Sequence, residues 1–121
     1  GFLKNETHKV DFLKNLKKIF NTGHIRYNSY KGKKLNKIAV LGGSGSFAID
    51  QAKKKGADAF ITADLKYHQF FQADGEILLI DIGHYESEQY TKNLIFGYLT
   101  EKLPNFAIAL SRTKTNPVNY F

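Results

Sequence analysis

The run Ile77-Leu78-Leu79-Ile80-Asp81-Ile82 constrains this chain more than any other segment. Five of its six residues are large and aliphatic, and it lies between Gly75 and Gly83. A strand with one wet face alternates polar and apolar residues. A short continuous apolar run bounded by turn residues suits a strand covered on both faces. Such a strand needs helices on either side of its sheet.

The rest of the chain supplies them. Val10, Leu13, Leu16, Ile19 and Phe20 recur at helical spacing between Thr7, a candidate N-cap, and Gly23, a candidate C′ residue. Residues 24–30 alternate as in a half-exposed strand, and residues 31–34 read as a turn. Residues 37–41 form a second strand, expected antiparallel to the first. Gly42-Gly43-Ser44-Gly45-Ser46 then opens a helix over residues 47–55, ended by Gly56. A strand over 59–62 follows, then a short helix over 65–73 and a turn at Asp74-Gly75. After the strand over 77–82, residues 85–103 read as the longest helix, stopped before Pro104. Residues 106–110 read as a last strand and 113–121 as an irregular tail. Strands alternating with helices from residue 37 onward predict an α/β fold: a layered sandwich whose largely parallel (mixed) sheet is flanked by helices. The expected organisation is a single domain over residues 1–121.

Composition narrows the function classes. Ten Phe, seven Tyr and 42% hydrophobic residues argue for a packed core. With no Cys, disulfides and thiolate zinc sites are excluded, so any metal must use His, carboxylate and water. No apolar run is long enough to cross a bilayer, and the start Gly-Phe-Leu-Lys-Asn-Glu is not a secretory signal. A cytoplasmic location is the default expectation. The chain contains no Met, so Gly1 is not a translation start, and a fragment, a processed form or a chain shortened at its N-terminus is expected.

The net charge of +7 is uneven: residues 1–56 hold thirteen Lys/Arg against three Asp/Glu, and residues 57–121 hold five against eight. A basic half can attract nucleic acid. Sixteen of the eighteen cations are Lys, however, whereas base reading and bidentate phosphate contacts favour Arg. Solvated surface lysines are the better reading, and a nucleic-acid partner is not expected.

Three strand-to-helix junctions carry chemistry. In an open α/β sheet, ligands bind beyond the carboxyl ends of the strands, so all three should open at one edge. The first, Gly43-x-Gly45-x-x-Ala48, matches a dinucleotide fingerprint in form. It fits a cofactor site, an anion or phosphate contact by Gly43, Ser44 and Gly45, or simply a tight structural turn. The second is Asp64-Leu65-Lys66-Tyr67-His68, where Asp64 and His68 stand four apart. His68 is a candidate proton donor or acceptor. The plainer alternative makes Asp64 an N-cap and His68 an ordinary helix residue.

The third junction is Gly83-His84-Tyr85-Glu86-Ser87-Glu88. His84 and Glu88 stand one helical turn apart, which fits a half-site for a divalent metal or a surface His–Glu pair. Glu86, about 200° round the helix from His84, is expected to face solvent or a neighbouring subunit. Asp81 would be costly to bury unpaired and is expected to accept hydrogen bonds from nearby backbone or from a ligand side chain. His8 and His24 lack partner motifs and read as surface residues.

Together these motifs carry a resemblance. Ala39-Val40-Leu41-Gly42-Gly43-Ser44-Gly45, Ile61-Thr62-Ala63-Asp64-Leu65-Lys66-Tyr67-His68, Asp81-Ile82-Gly83-His84-Tyr85-Glu86-Ser87-Glu88 and Thr115-Asn116-Pro117 occur in this order. The chain resembles the C-terminal part of the NIF-three-like family, also known as GTP cyclohydrolase 1 type 2 homologues. Ala63 stands where many members have Gly. The resemblance implies a two-metal site, holding zinc, manganese or iron, in which His84 and Glu88 are ligands. The other ligands, two histidines and an aspartate, would come from an N-terminal half. It implies Asp64 and His68 near the metal cleft, a homo-hexamer, and metal-dependent opening of the guanine ring of GTP. Two function classes stay open: a metal-dependent hydrolase of a nucleotide or related small molecule, and a non-catalytic interaction or scaffold protein.

Overall fold

The structure, a computed structural model, describes residues 1–32 and 34–120. The turn expected over 31–34 therefore falls partly outside the described residues at Lys33, and the tail does so at Phe121. Two compact units are present, Gly1–Ser87 and Glu88–Phe121.

The first unit is built on a five-stranded sheet. Its strands are β1 (Phe2–Thr7), β2 (Arg26–Tyr27), β3 (Leu35–Ser44), β4 (Ala59–Ala63) and β5 (Leu78–Asp81), in spatial order β1-β3-β4-β5-β2. The pairs β3–β4 and β4–β5 are parallel, and both edge strands are antiparallel to their neighbours. Helices α1 (Lys9–Ile19) and α2 (Ile49–Lys54) and two 3-10 segments, Ser46–Ala48 and Tyr67–Ala73, complete the unit. The sheet is thus mixed and largely parallel, as expected.

Strand alternation explains the layers. Ala59, Ile61, Leu78, Ile80 and Ile82 pack with Phe12 and Leu16 of α1. The intervening residues Phe60, Ile77 and Leu79 pack with Ile49 and Ala52 of α2 and with Leu65 and Ala73. Every residue of β4 and β5 is buried, because helix covers both faces of the sheet.

Several sequence expectations change. The strand at residues 24–30 shortens to β2 and does not pair with β3. It crosses to the far edge and pairs with β5, Arg26 opposite Asp81 and Tyr27 opposite Ile80. Its place beside β3 is taken by β1, which local pattern did not reveal. Thr7 ends β1, so His8 is the N-cap of α1. Asn21, at φ 47°, takes the left-handed turn after α1 that was expected of Gly23. His8 is exposed, as expected, whereas His24 is half-buried rather than on the surface. The segment over 65–73 is a 3-10 helix starting at Tyr67.

The long helix expected over 85–103 is two helices, α3 (His84–Glu88) and α4 (Thr91–Lys102), separated by a turn at Gln89 and Tyr90. Residues 106–110 form no strand; among the described residues they have no ladder partner, without which extended backbone is not a strand. In the second unit α4 buries none of its residues, and Leu94, Ile95 and Tyr98 are exposed. Among the described residues no helix is long and apolar enough to cross a membrane.

Candidate functional site

Because β3, β4 and β5 run parallel, their carboxyl ends share one edge of the sheet. Left-handed backbone occurs at that edge on all three strands: at Gly43, the next-to-last residue of β3 (φ 67°), at Asp64, directly after β4 (φ 58°), and at Gly83, two residues after β5 (φ 91°). Glycine adopts this region freely. Aspartate does so at a cost, and such residues cluster at functional sites, where surrounding structure holds them in place.

The glycine pair Gly42-Gly43 lies inside β3 rather than after it. Val40 pairs with Ile61 and Ser44 with Ala63, so three residues of β3 stand opposite the single residue Thr62. This bulge re-aims the end of the strand. The Thr62 hydroxyl donates to the Gly43 carbonyl at 3.0 Å, and the Gly43 N–H donates to Ser87 Oγ at 2.8 Å. Gly45 is required by contact: a Cβ there would stand 2.1 Å from Thr62 Oγ1 and 2.8 Å from Leu41 Cδ2.

The bulge delivers the Ser44 hydroxyl to Asp64, where it donates to Oδ2. The same oxygen lies 2.6 Å from His84 Nδ1. These hydrogen bonds, that of Ser44 first and then that of His84, hold the Asp64 carboxyl below the ordinary carboxylate range. An ionised carboxylate only accepts, so Nδ1 carries the proton and the lone pair of the neutral ring falls on Nε2. The Asp64 and His84 side chains are about half exposed, so the pair is open to solvent.

The other named residues take different places. Asp81 ends β5 and is buried at 3% exposure. It accepts from the Leu65 N–H at 2.9 Å and the Gly83 N–H at 3.0 Å, and it is paired with Arg26. His68 is exposed on its 3-10 turn. Its spacing from Asp64 does not make a shared helical face, because Asp64 lies before the helix starts. Glu88 closes α3 and is exposed. Glu86, expected to face outward, is buried at 6% exposure. Of the candidate anion site, the Gly43 N–H and the Ser44 hydroxyl are already engaged by Ser87 and Asp64. Among the described residues no group of three or more His, Cys, Asp or Glu side chains is arranged to hold a metal ion.

Arg26 and Ser87 were missed from sequence. Arg26 is one of only two arginines in the chain, a signal that was available. Ser87, which accepts from Gly43 and donates to the His84 carbonyl at 2.8 Å, had no local signature.

The family model for Duf34/NIF3 (NGG1p interacting factor 3) matches residues 1–117. The chain belongs to this family. It is 32% identical over 120 residues to a Staphylococcus aureus protein named "GTP cyclohydrolase 1 type 2 homolog", covering 96% of the chain and 33% of that relative. The chain therefore spans about a third of the length of such relatives. Among solved structures, it superposes on Staphylococcus aureus protein SA1388 with a TM-score of 0.83 at 30% identity, covering 99% of the chain and 40% of that protein. A Bacillus cereus protein related to NIF3 gives a TM-score of 0.81 at 30% identity, covering 100% of the chain and 35% of that protein. These family members share the α/β fold described above.

Proposed function

We propose that this sheet edge is one half of a divalent-metal site, with His84 and Glu88 as ligands and Asp64 as the group that orients the imidazole. The observation that supports it is the Asp64–His84 hydrogen bond of 2.6 Å. Metal-ligating histidines almost always donate their second ring N–H to a carboxylate or carbonyl, which fixes the tautomer and raises the basicity of the ligating nitrogen. His84 has this arrangement, with Nε2 as the ligating atom. Glu88 adds a carboxylate four residues on, a donor set suited to zinc, manganese or iron. Two side chains do not fill a coordination shell, so the remaining ligands belong to a longer protein, with two metal ions per subunit.

In such a protein the reading is a metal-dependent hydrolase acting on a nucleotide or a related small molecule. The name carried by the Staphylococcus aureus relative points to that class. When bound, the metals would supply an activated water and offset developing negative charge. Among this chain's residues, Asp64 keeps His84 in one tautomer, Ser44 keeps Asp64 ionised, and the exposed His68 is the candidate for moving a proton.

A second reading is a non-catalytic scaffold that associates with further copies of itself, in a hexamer at full length. The outward-facing Leu94, Ile95 and Tyr98 of α4 favour it. Metal analysis with a nucleotide turnover screen, on the protein at the length of its relatives, separates the two. Bound metal with turnover supports the hydrolase. Bound metal without turnover supports the scaffold. Absence of metal after reconstitution overturns the site.

A further inference from the structure

We propose that Arg26 and Asp81 are positioning residues that set the separation of the two loops bearing Asp64 and His84. The bonding of one carboxylate carries the inference. Oδ2 of Asp81 accepts from the Leu65 N–H at 2.9 Å, and Oδ1 accepts from the Gly83 N–H at 3.0 Å. Leu65 directly follows Asp64, and Gly83 directly precedes His84. Each oxygen therefore holds the backbone beside one member of the pair. Arg26 closes the arrangement: its Nη2 donates to Asp81 Oδ2 and, at 2.9 Å, to the Leu65 carbonyl. Both polar groups of Leu65 are thus held, one by each partner. Asp64 can then stay in left-handed backbone at φ 58°, a conformation that aspartate does not favour without support.

An ion pair at this place is otherwise hard to explain. Burying a carboxylate at the end of an apolar strand costs more desolvation than an aliphatic residue would, and pairing rarely returns a surplus. Fixing the loops does explain it. Arg26 reaches the site from β2, and its guanidinium carbon lies 5.7 Å from the centre of the Phe70 ring, which steadies the planar group. The crossover that takes β2 away from β3 therefore delivers a cation to the site. The consequence for metal binding rests on the proposed function, but the positioning itself does not.

The test is nuclear magnetic resonance on the metal-free 121-residue chain. In the wild type, the His84 ring should appear as the Nδ1–H tautomer, with a downfield ring proton bonded to Asp64. In Asp81→Asn the amide must turn a donor toward either Leu65 or Gly83, and both of these are donors. This ring proton should then exchange about tenfold faster or more, with the tautomer mixed, while the fold is retained. Arg26→Met should do the same to a smaller extent, and Arg26→Lys should restore part of the signal. A folded Asp81→Asn protein with an unchanged His84 ring resonance overturns the proposal. If Asp81→Asn does not fold, Arg26→Met decides, and an unchanged resonance there overturns it equally. Failure of the longer protein to bind metal would overturn the metal site and leave this result standing.

Discussion

Asp64 and His84 lie twenty residues apart in sequence, and their side chains meet at 2.6 Å. Each follows a strand of the parallel core, and each is anchored by a neighbouring peptide to Asp81. The imidazole is therefore oriented by backbone geometry before any ligand arrives. This relationship generates most of the expectations below.

Asp64→Asn should separate function from stability. Asparagine tolerates left-handed backbone as well as aspartate does, so folding should change little. The amide is a poorer acceptor for the Nδ1–H. Metal affinity of the protein at the length of its relatives should fall roughly 10- to 100-fold, the usual effect of losing such an orienting partner. Thermal unfolding and metal titration of the same variant check both halves.

The pH dependence has a definite sign. The Asp64 pKa is lowered in the folded chain, by Ser44 first and His84 second. Its contribution to stability is therefore fully present above the unfolded carboxylate pKa and lost as pH falls through the lowered folded value. The window lies on the acidic side of an ordinary aspartate. Exposure and salt screening keep the energetic effect small. A carbon-13 carboxyl titration should place Asp64 below the other exposed aspartates, and Ser44→Ala should move it back toward them.

Glu86 and Glu88 should behave in opposite ways, because the first is buried and the second exposed. Glu88→Gln should lower metal loading of the longer protein with little change in thermal stability. Glu86→Ala should retain metal but lose about 1–3 kcal/mol of stability, since it empties a buried polar position. Metal content by mass spectrometry and melting by circular dichroism test the pair. Loss of metal in the Glu86 variant alone would show that Glu88 is not the ligand.

Gly45→Ala should destabilise the chain by about 1–3 kcal/mol, as overpacking does, because the added methyl meets Thr62 Oγ1. Thr62→Ala removes that oxygen along with its bond to Gly43. The double variant should therefore be more stable than the two single effects predict, by a margin that a double-mutant cycle measures. Strict additivity would show that the contact is not what requires glycine.

By itself, the sequence determined the layers and the edge. The apolar run ending at Ile82, short and bounded by turn residues, suited a strand buried on both faces, and strand–helix alternation then put Gly43, Asp64 and His84 at one end of a parallel sheet. These are local patterns, and a period or a turn residue is enough to read them. Tertiary structure decided the pairings. The spacings Asp64 to His68 and His84 to Glu88 drew attention to neighbours along the chain, whereas Asp64 is bonded to Ser44 and His84 across three strands. The bulge at Gly42-Gly43 aims Ser44, and nothing in the local sequence distinguishes a bulge from a turn. The far-edge position of β2, and with it the reach of Arg26 to Asp81, depends on which strand edge is open once the sheet has assembled. Edge choice is a competition between distant segments, with β1 taking the place beside β3. The burial of Glu86 has the same origin: helical phase sets the direction of a side chain, but only the packed neighbours decide whether that direction meets water.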